Sequence, residues 1–489
     1  MAQPEALFLL IKSLNSGEKA LVRSAEKGTS GYLALFDYLS RQKEYDERKA
    51  KKKLTALGFD INFAYAKHYL TKHILRVIRE NETSGANGGN QLVHEIDILI
   101  RRRVFDLAEK LLEKARQKTL GEERFHDFLQ LSGLQMTLLL RNGAGKDETI
   151  QQINALNAER RTAREALNKL GEFEDLYYSY RPIVKHKQSA RNEWDLAAIK
   201  AFGAHPLLQN SANLGAARLQ RMYYLCKSMI DVFSGAYQEA TADLDASVTL
   251  YRSVGFLRDD HPDGFLNDLW RLGGMKLHFG EFATVEAILK EIKEFSELKG
   301  IHESDIFEKY QRLLLGYALQ TRNYTLVNAE LPSIKAGLDL HGDSIPWTSQ
   351  AMLLLWLARL HFEQQQYKEA KIWLNRILDH PHRGQREDIH SLARIMLIFV
   401  YFETGEADLT ESQTKATRKF LQRRDALYQF ERCILRFLEK HSFDRKDKQL
   451  VQALRGLQSE LQEIFKDPLE ANILAYFDIL GWLESKTAV

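Results

Sequence analysis

Residues 354–381 read LLWLARLHFEQQQYKEAKIWLNRILDHP, and this stretch decides the predicted fold. Its first half carries Leu354 and Leu357 at helical spacing, and its second half begins at Tyr367 and closes at Pro381. Apolar residues three and four positions apart favour an amphipathic helix, and a proline just after the last turn favours a helix end. The stretch therefore predicts two helices joined by a short polar turn.

The second half of this stretch recurs along the chain as an aromatic residue, a small or branched residue three positions later, and a leucine four positions after that. The matching sets are Phe105, Ala108 and Leu112; Tyr237, Ala240 and Leu244; Phe282, Val285 and Leu289; Tyr324, Val327 and Leu331; and Tyr367, Ala370 and Leu374. The last four aromatic residues are 45, 42 and 43 positions apart. Such an interval is typical of stacked helix hairpins, so we predict an all-α fold, an α-α solenoid with a period of about 43 residues.

This pattern resembles the tetratricopeptide (TPR) repeat, in which the aromatic residue opens the second helix of a hairpin and the small residue lets the two helices approach closely. The longer period implies longer helices or longer loops than the family's repeat of about 34 residues. The resemblance is strongest over residues 211–380, weaker over 91–118 and weakest between 143 and 205. The layout also resembles an uncharacterised family of bacterial TPR-like proteins with a small N-terminal helical domain, a resemblance that implies no activity.

The composition favours a helical protein of the reducing cytoplasm. Only 8 of the 489 residues are proline, and 44% are hydrophobic, which favours long helices and excludes wholesale disorder. The two cysteines, Cys226 and Cys433, are far apart and form no disulfide framework. The longest apolar run, residues 351–358, is shorter than the roughly 20 residues that a membrane span needs. We expect a cytoplasmic protein without a membrane segment.

A break in the sequence predicts the domain organisation. Residues 81–90, NETSGANGGN, offer turn conformations and no apolar periodicity, which is typical of a linker. We therefore expect a small helical domain over residues 1–80 and the TPR-like solenoid over residues 91–489. Near the start of the first domain, Asn15 followed three residues later by Glu18 predicts a capping box at the beginning of a helix.

The predicted first domain is basic. Residues 1–80 carry 15 Lys and Arg against 9 Asp and Glu, a net charge of +6. Because the whole chain has a net charge of +3, the remaining residues carry −3. The densest part is RKAKKK at residues 48–53. This run is either a solvated helix face or a contact for nucleic acid. The second reading gives an alternative function, a nucleic-acid-associated regulator whose binding weakens steeply with salt.

The sequence contains no recognisable catalytic motif. It has no GxSxG, no cysteine paired with a credible histidine and no glycine-rich turn from a strand to a helix, so we expect no enzyme and no cofactor. Two short segments hold potential metal ligands, Asp379-His380-Pro381-His382 and Asp259-Asp260-His261-Pro262-Asp263. Both fall at predicted connections between helices, where these residues are ordinary turn formers, so we expect no metal.

The resemblance to TPR proteins also implies a binding surface, because the first helix of each hairpin in that family lines a concave groove. The residues of this sequence at those groove positions are Asn267, Trp270, Lys309, Arg312 and Arg359. An aromatic side chain flanked by basic ones suits an acidic peptide or a C-terminal carboxylate. Gly274 and Gly316 stand where the family's carboxylate clamp has side-chain amides. We therefore predict a non-catalytic scaffold or adaptor that binds a protein or peptide partner through its concave face.

Overall fold

The computed structural model describes residues 6–25, 31–59, 62–82, 88–101, 103–141, 145–185, 190, 192–209, 214–295, 301–443 and 448–487. These ranges contain 25 α-helices, four short 3₁₀ helices and no β-strand. The all-α prediction is therefore confirmed for the part of the chain that the structure describes. No helix within these ranges combines the length and the apolar character that crossing a membrane requires.

Packing divides the chain into two compact units, residues 1–163 and 164–489. The helices of the first unit are α1 (Ala6–Ser13), α2 (Ser16–Ala25), α3 (Gly31–Arg41), α4 (Glu47–Ala56), α5 (Phe63–Glu82), α6 (Gly88–Arg101), α7 (Phe105–Gly121), α8 (Phe125–Leu139) and the first part of α9 (Lys146–Lys185). Helices α1 to α5 share one apolar core around Leu35 and Phe36, and α6 to α8 share another around Ile96 and Leu131. The predicted linker falls between these two cores, and its residues 83–87 lie outside the described ranges.

The capping box at the start of α2 is confirmed. The backbone N–H of Glu18 donates to Asn15 Oδ1 at 2.8 Å, and the backbone N–H of Asn15 donates to Glu18 Oε2 at 2.8 Å. The two side chains thus satisfy backbone donors that the first turn of a helix leaves without a partner.

The second unit continues the helical chain. Its helices are the rest of α9, α10 (Glu193–Gly203), α11 (Ala217–Ser234), α12 (Tyr237–Ser253), α13 (Gly255–Asp260), α14 (Pro262–His278), α15 (Phe282–Glu294), α16 (Glu303–Thr321), α17 (Tyr324–His341), α18 (Trp347–Glu363), α19 (Tyr367–Leu378), α20 (Glu387–Thr404), α21 (Ala407–Gln422), α22 (Gln429–His441), α23 (Lys448–Ile464), α24 (Pro468–Ala471) and α25 (Ile479–Thr487). The 3₁₀ helices are Pro206–Leu208, Gly342–Ser344, Arg383–Arg386 and Asn472–Ala475. The recurring aromatic residues Tyr237, Phe282, Tyr324 and Tyr367 are the first residues of α12, α15, α17 and α19, and Phe105 is the first of α7.

Successive helices of the second unit pack in pairs. Helix α11 contacts α12, and the same holds for α14 with α15, α16 with α17, α18 with α19, α20 with α21 and α22 with α23. The first members of four consecutive pairs, α14, α16, α18 and α20, also contact one another in this order. We call these four helices the first-helix row. Small side chains such as Ala240 and Ala370 are fully buried where the paired helices meet.

Two adjacent glycines of α14 give a matched test of how closely the first-helix row packs. A Cβ atom added at Gly273 would lie 2.6 Å from a methyl carbon of Leu313, a buried residue of α16, whereas one added at Gly274 would meet nothing within 4 Å. Both Gly→Ala changes gain the same helix propensity, so the clash decides the difference. We expect Gly273→Ala to be less stable than Gly274→Ala by about 1–3 kcal/mol in chemical denaturation. Equal stabilities would contradict close packing of α14 on α16.

Candidate functional site

The predicted partner-binding residues all lie on helices of the first-helix row, but they differ in exposure. Asn267 is exposed and Trp270 is half-buried on α14. Lys309 and Arg312 on α16 and Arg359 on α18 are buried, with exposed fractions of 9%, 6% and 9%. Buried cations are rare unless a counter-charge accompanies them, so the partners of these three side chains decide what they are able to bind.

Trp270 and Arg312 are brought together across the contact between α14 and α16. The guanidinium carbon of Arg312 lies 4.3 Å from the centre of the Trp270 ring. An arginine over an indole face is attracted by the ring's electron density, and this interaction strengthens when water is excluded. The stacking fixes the guanidinium plane, and the Nε of this group is buried without a hydrogen-bond partner among the described residues.

Glu308 is the carboxylate that accompanies the buried cations of α16. Its Oε1 accepts from Arg312 Nη1 at 2.5 Å, and its Oε2 accepts from Lys309 Nζ at 3.4 Å. Burial alone would raise the pKa of the Glu308 carboxyl, but the charges and hydrogen bonds of Arg312 and Lys309 outweigh it and hold the pKa below its ordinary value. Two cations against one carboxylate leave this cluster with a net positive charge. The prediction missed Glu308, although its spacing of four residues from Arg312 was a usable signal.

Arg359 belongs to a separate cluster on α18. Its Nε donates to Glu363 Oε1 at 2.6 Å, and the other oxygen of Glu363 accepts from the Tyr324 hydroxyl at 2.9 Å. Among the described residues, no hydrogen bond or ion pair joins Arg359 to Lys309, Arg312 or Trp270. The structure therefore links Trp270, Arg312 and Lys309 through the contacts of Arg312 and Glu308. Arg359 lies in a separate cluster.

The chain's own C-terminal segment, residues 468–487, packs on α18 and α20. The Phe477 ring lies 5.7 Å from the Phe362 ring and 5.3 Å from the Phe399 ring. One helical turn separates Phe362 from Arg359, so the segment covers the α18 surface next to that arginine.

Helix α25 makes polar contacts with the same row through a single carboxylate. Trp482 Nε1 donates to Glu403 Oε1 at 2.7 Å, and Lys486 Nζ donates to Glu403 Oε2 at 2.8 Å. The Trp482 ring also packs on Phe399, with ring centres 4.9 Å apart. Helix α20 thus contacts an aromatic and a basic side chain of α25.

The start of the C-terminal segment reaches the beginning of the second unit. Asn472 Nδ2 donates to the carbonyl oxygen of Ala190 at 3.0 Å, and the Tyr237 hydroxyl donates to Asn472 Oδ1 at 3.1 Å. Residues 468–487 therefore connect the two ends of the second unit and cover part of its first-helix row.

Several buried polar atoms of the first-helix row have no hydrogen-bond partner among the described residues. They are Arg271 Nη2 on α14, Gln311 Oε1 and Arg312 Nε on α16, Trp347 Nε1, Trp356 Nε1 and His361 Nε2 on α18, and His390 Nε2 and Arg394 Nε on α20. A buried donor or acceptor without a partner costs about 1–3 kcal/mol, so each such atom in the row calls for an explanation. Arg312 Nε belongs to the guanidinium that stacks on Trp270, so we take the α14–α16 part of the row as the candidate site.

The two segments with potential metal ligands do not assemble a metal site. The His380 ring stacks on Trp347, with ring centres 3.5 Å apart, while His382 is exposed. Asp260 forms an ion pair with Arg218. Within the described ranges, no group of three or more histidine, cysteine, aspartate or glutamate side chains is arranged to hold a metal ion.

The basic run at residues 48–53 forms most of α4 in the first unit. Lys51 pairs with Glu47 at 2.7 Å and Lys49 pairs with Asp46 at 3.2 Å, while Lys52 and the remaining basic side chains of the run point to solvent. Hydrogen bonds from Lys51, Lys67 and Tyr45 lower the pKa of Glu47 to about 2. Two neighbouring carboxylates thus neutralise part of the run.

With this geometry in view, we compared the chain with known proteins. It matches no known protein family, no curated protein and no solved structure.

Proposed function

We propose that this chain is a non-catalytic scaffold or adaptor, a TPR-like α-helical solenoid that binds a protein or peptide partner at the α14–α16 part of its first-helix row. The observation that carries the proposal is the stacking of Arg312 on Trp270 at 4.3 Å, beside buried polar atoms that have no partner among the described residues. A guanidinium held in this way suits a carboxylate, to which its Nε can donate while its Nη1 stays on Glu308.

The solenoid part of the proposal is supported by the order of helix contacts. Each helix pair of the second unit packs on its neighbours in sequence, and four second helices begin at the recurring aromatic residues Tyr237, Phe282, Tyr324 and Tyr367. In such stacks each pair contacts mainly its neighbours, so a long surface of first helices remains for a partner.

The C-terminal segment, residues 468–487, supports the proposal that the first-helix row binds a helix or peptide, and it restricts where on the row a partner binds. Helix α25 lies on α20 as a partner helix would, through the Trp482 ring and the Lys486 amine on Glu403. Because this segment already covers parts of α18 and α20, the proposed partner binds further toward α14. The net positive charge around Glu308 favours an acidic partner or a free C-terminus.

Affinity capture with the full chain as bait tests the proposal. Trp270→Ala removes the platform for Arg312, so proteins recovered specifically by the wild type are expected to be reduced at least tenfold, as for a central aromatic residue of an interface. Quantitative mass spectrometry of the captured proteins is the measurement. The matched control is Trp194→Ala, because Trp194 is 72% exposed in the same unit. The same proteins at unchanged yield with Trp270→Ala would exclude this site.

A further inference from the structure

A second cluster of basic side chains, at the start of α20 and the end of α21, lies outside the site described above. The guanidinium carbons of Arg394 and Arg424 lie 4.4 Å and 4.0 Å from the centre of the Phe420 ring. The His390 ring lies 5.0 Å from the same ring and meets it edge-on. One phenyl ring thus gathers two guanidinium groups and an imidazole.

These charges lack adequate counter-charges. Arg394 forms no ion pair with a described residue, and its Nε is buried without a hydrogen-bond partner. Arg424 approaches Glu387 at 3.5 Å, but both side chains are largely solvent-exposed. Arg383 donates to the carbonyl oxygen of His380. Its charge contributes to lowering the pKa values of His390 and Arg394. Arg394 and Arg424 therefore have one exposed carboxylate, that of Glu387, as a counter-charge among the described residues.

The other charged residues nearby do not change this balance. Arg386 and Asp388 neutralise each other in a two-bond pair with distances of 2.8 Å and 2.7 Å. Adjacent guanidinium groups repel one another, and holding them together costs free energy unless an anion sits among them. The cation-rich surroundings also exclude a metal ion as the ligand.

His390 is a buried titratable side chain of the same cluster. The residue is 5% exposed, and its Nε2 has no hydrogen-bond partner among the described residues. Burial, together with the charges of Arg394, Arg383 and Arg424, lowers the pKa of His390 to about 4. The imidazole is therefore neutral at neutral pH, although an anion beside it would favour the protonated ring.

We propose that Arg394, Arg424 and His390 form a binding site for a phosphate group. A phosphate dianion offers the charge that several guanidiniums require and enough oxygens to accept from each of them, which a single carboxylate does not. Phe420 is the platform that orients Arg394 and Arg424 toward the shared anion. This site is separate from the proposed partner-binding site, and neither depends on the other.

Isothermal titration calorimetry of the full chain with inorganic phosphate tests the site, with sodium chloride at matched ionic strength as the blank. We expect saturable binding by the wild type and at least tenfold weaker binding by Arg394→Gln and by Arg424→Gln, since each loses a charge-assisted hydrogen bond. The matched control is Arg423→Gln, because Arg423 is an exposed arginine next to Arg424 without a contact to Phe420. It should bind like the wild type.

Titration with O-phosphoserine identifies the source of the phosphate group. Affinity equal to that of inorganic phosphate would mean that the phosphate alone is recognised, and tighter binding would mean a phosphate ester. An independent readout is the NMR signal of His390, assigned with His390→Gln, whose pKa should rise when phosphate is present. No saturable binding by the wild type, or the same loss in Arg423→Gln as in Arg394→Gln, would overturn the proposal.

Discussion

Replacing Phe477 with alanine is expected to lower the free energy of unfolding of the second unit by about 3–5 kcal/mol. The side chain is 1% exposed and packs between Phe362 of α18 and Phe399 of α20. Removing it deletes apolar contacts with two helices and leaves a cavity that the surrounding helices are too well packed to fill. Chemical denaturation followed by far-ultraviolet circular dichroism measures the change.

The matched control for Phe477→Ala is again Trp194→Ala, which removes a larger aromatic side chain from a 72% exposed position. Its expected effect is within about 0.5 kcal/mol, as for most surface substitutions. If Phe477→Ala were no less stable than this control, the C-terminal segment would not be packed on the first-helix row.

The second large effect is expected for Glu308→Gln near neutral pH. This change keeps the shape of the side chain but leaves the charges of Lys309 and Arg312 buried without their carboxylate, which costs about 3–5 kcal/mol for a buried ion pair. Glu303→Gln, at an exposed position in the first turn of the same helix, is the control and should cost less than about 1 kcal/mol. The same denaturation experiment measures both.

The pH dependence of this difference has a definite sign. The folded-state pKa of Glu308 lies below its ordinary value of 4.5, so the carboxylate stabilises the fold fully above that value. The stabilisation is lost as the pH falls through the lower folded-state pKa, because the protonated carboxyl then resembles the glutamine. The gap between wild type and Glu308→Gln should therefore shrink as the pH falls below about 4.5. A gap that stays constant below this pH would contradict the ionised cluster.

The parts of the fold that could be predicted depend on neighbouring residues in the sequence. The capping box of Asn15 and Glu18 spans three residues, and the recurring aromatic residues are the first residues of their helices. Such short-range signals survive in a single sequence. The resemblance to TPR repeats implied that Trp270 and Arg312 share one surface, because both match groove positions of first helices.

The remaining features depend on contacts that no local spacing encodes. Residues 143–205 gave little repeat signal, and the structure shows that most of this region is the single 40-residue helix α9. The hydrogen bond from Trp482 to Glu403 joins residues 79 positions apart. The arginines around Phe420 come from α20 and the end of α21, and only the fold brings them together.

The placement of residues 468–487 has a consequence for biosynthesis. A ribosome makes this segment after all the helices that it covers, so the nascent chain first presents the apolar side chains of Phe362, Phe399 and Phe402 without their cover. The bonds of Asn472 to Ala190 and Tyr237, which join parts of the chain 282 and 235 residues apart, cannot form until residue 472 has been made. We expect these apolar side chains to need shielding, as by a chaperone, until residues 468–487 emerge.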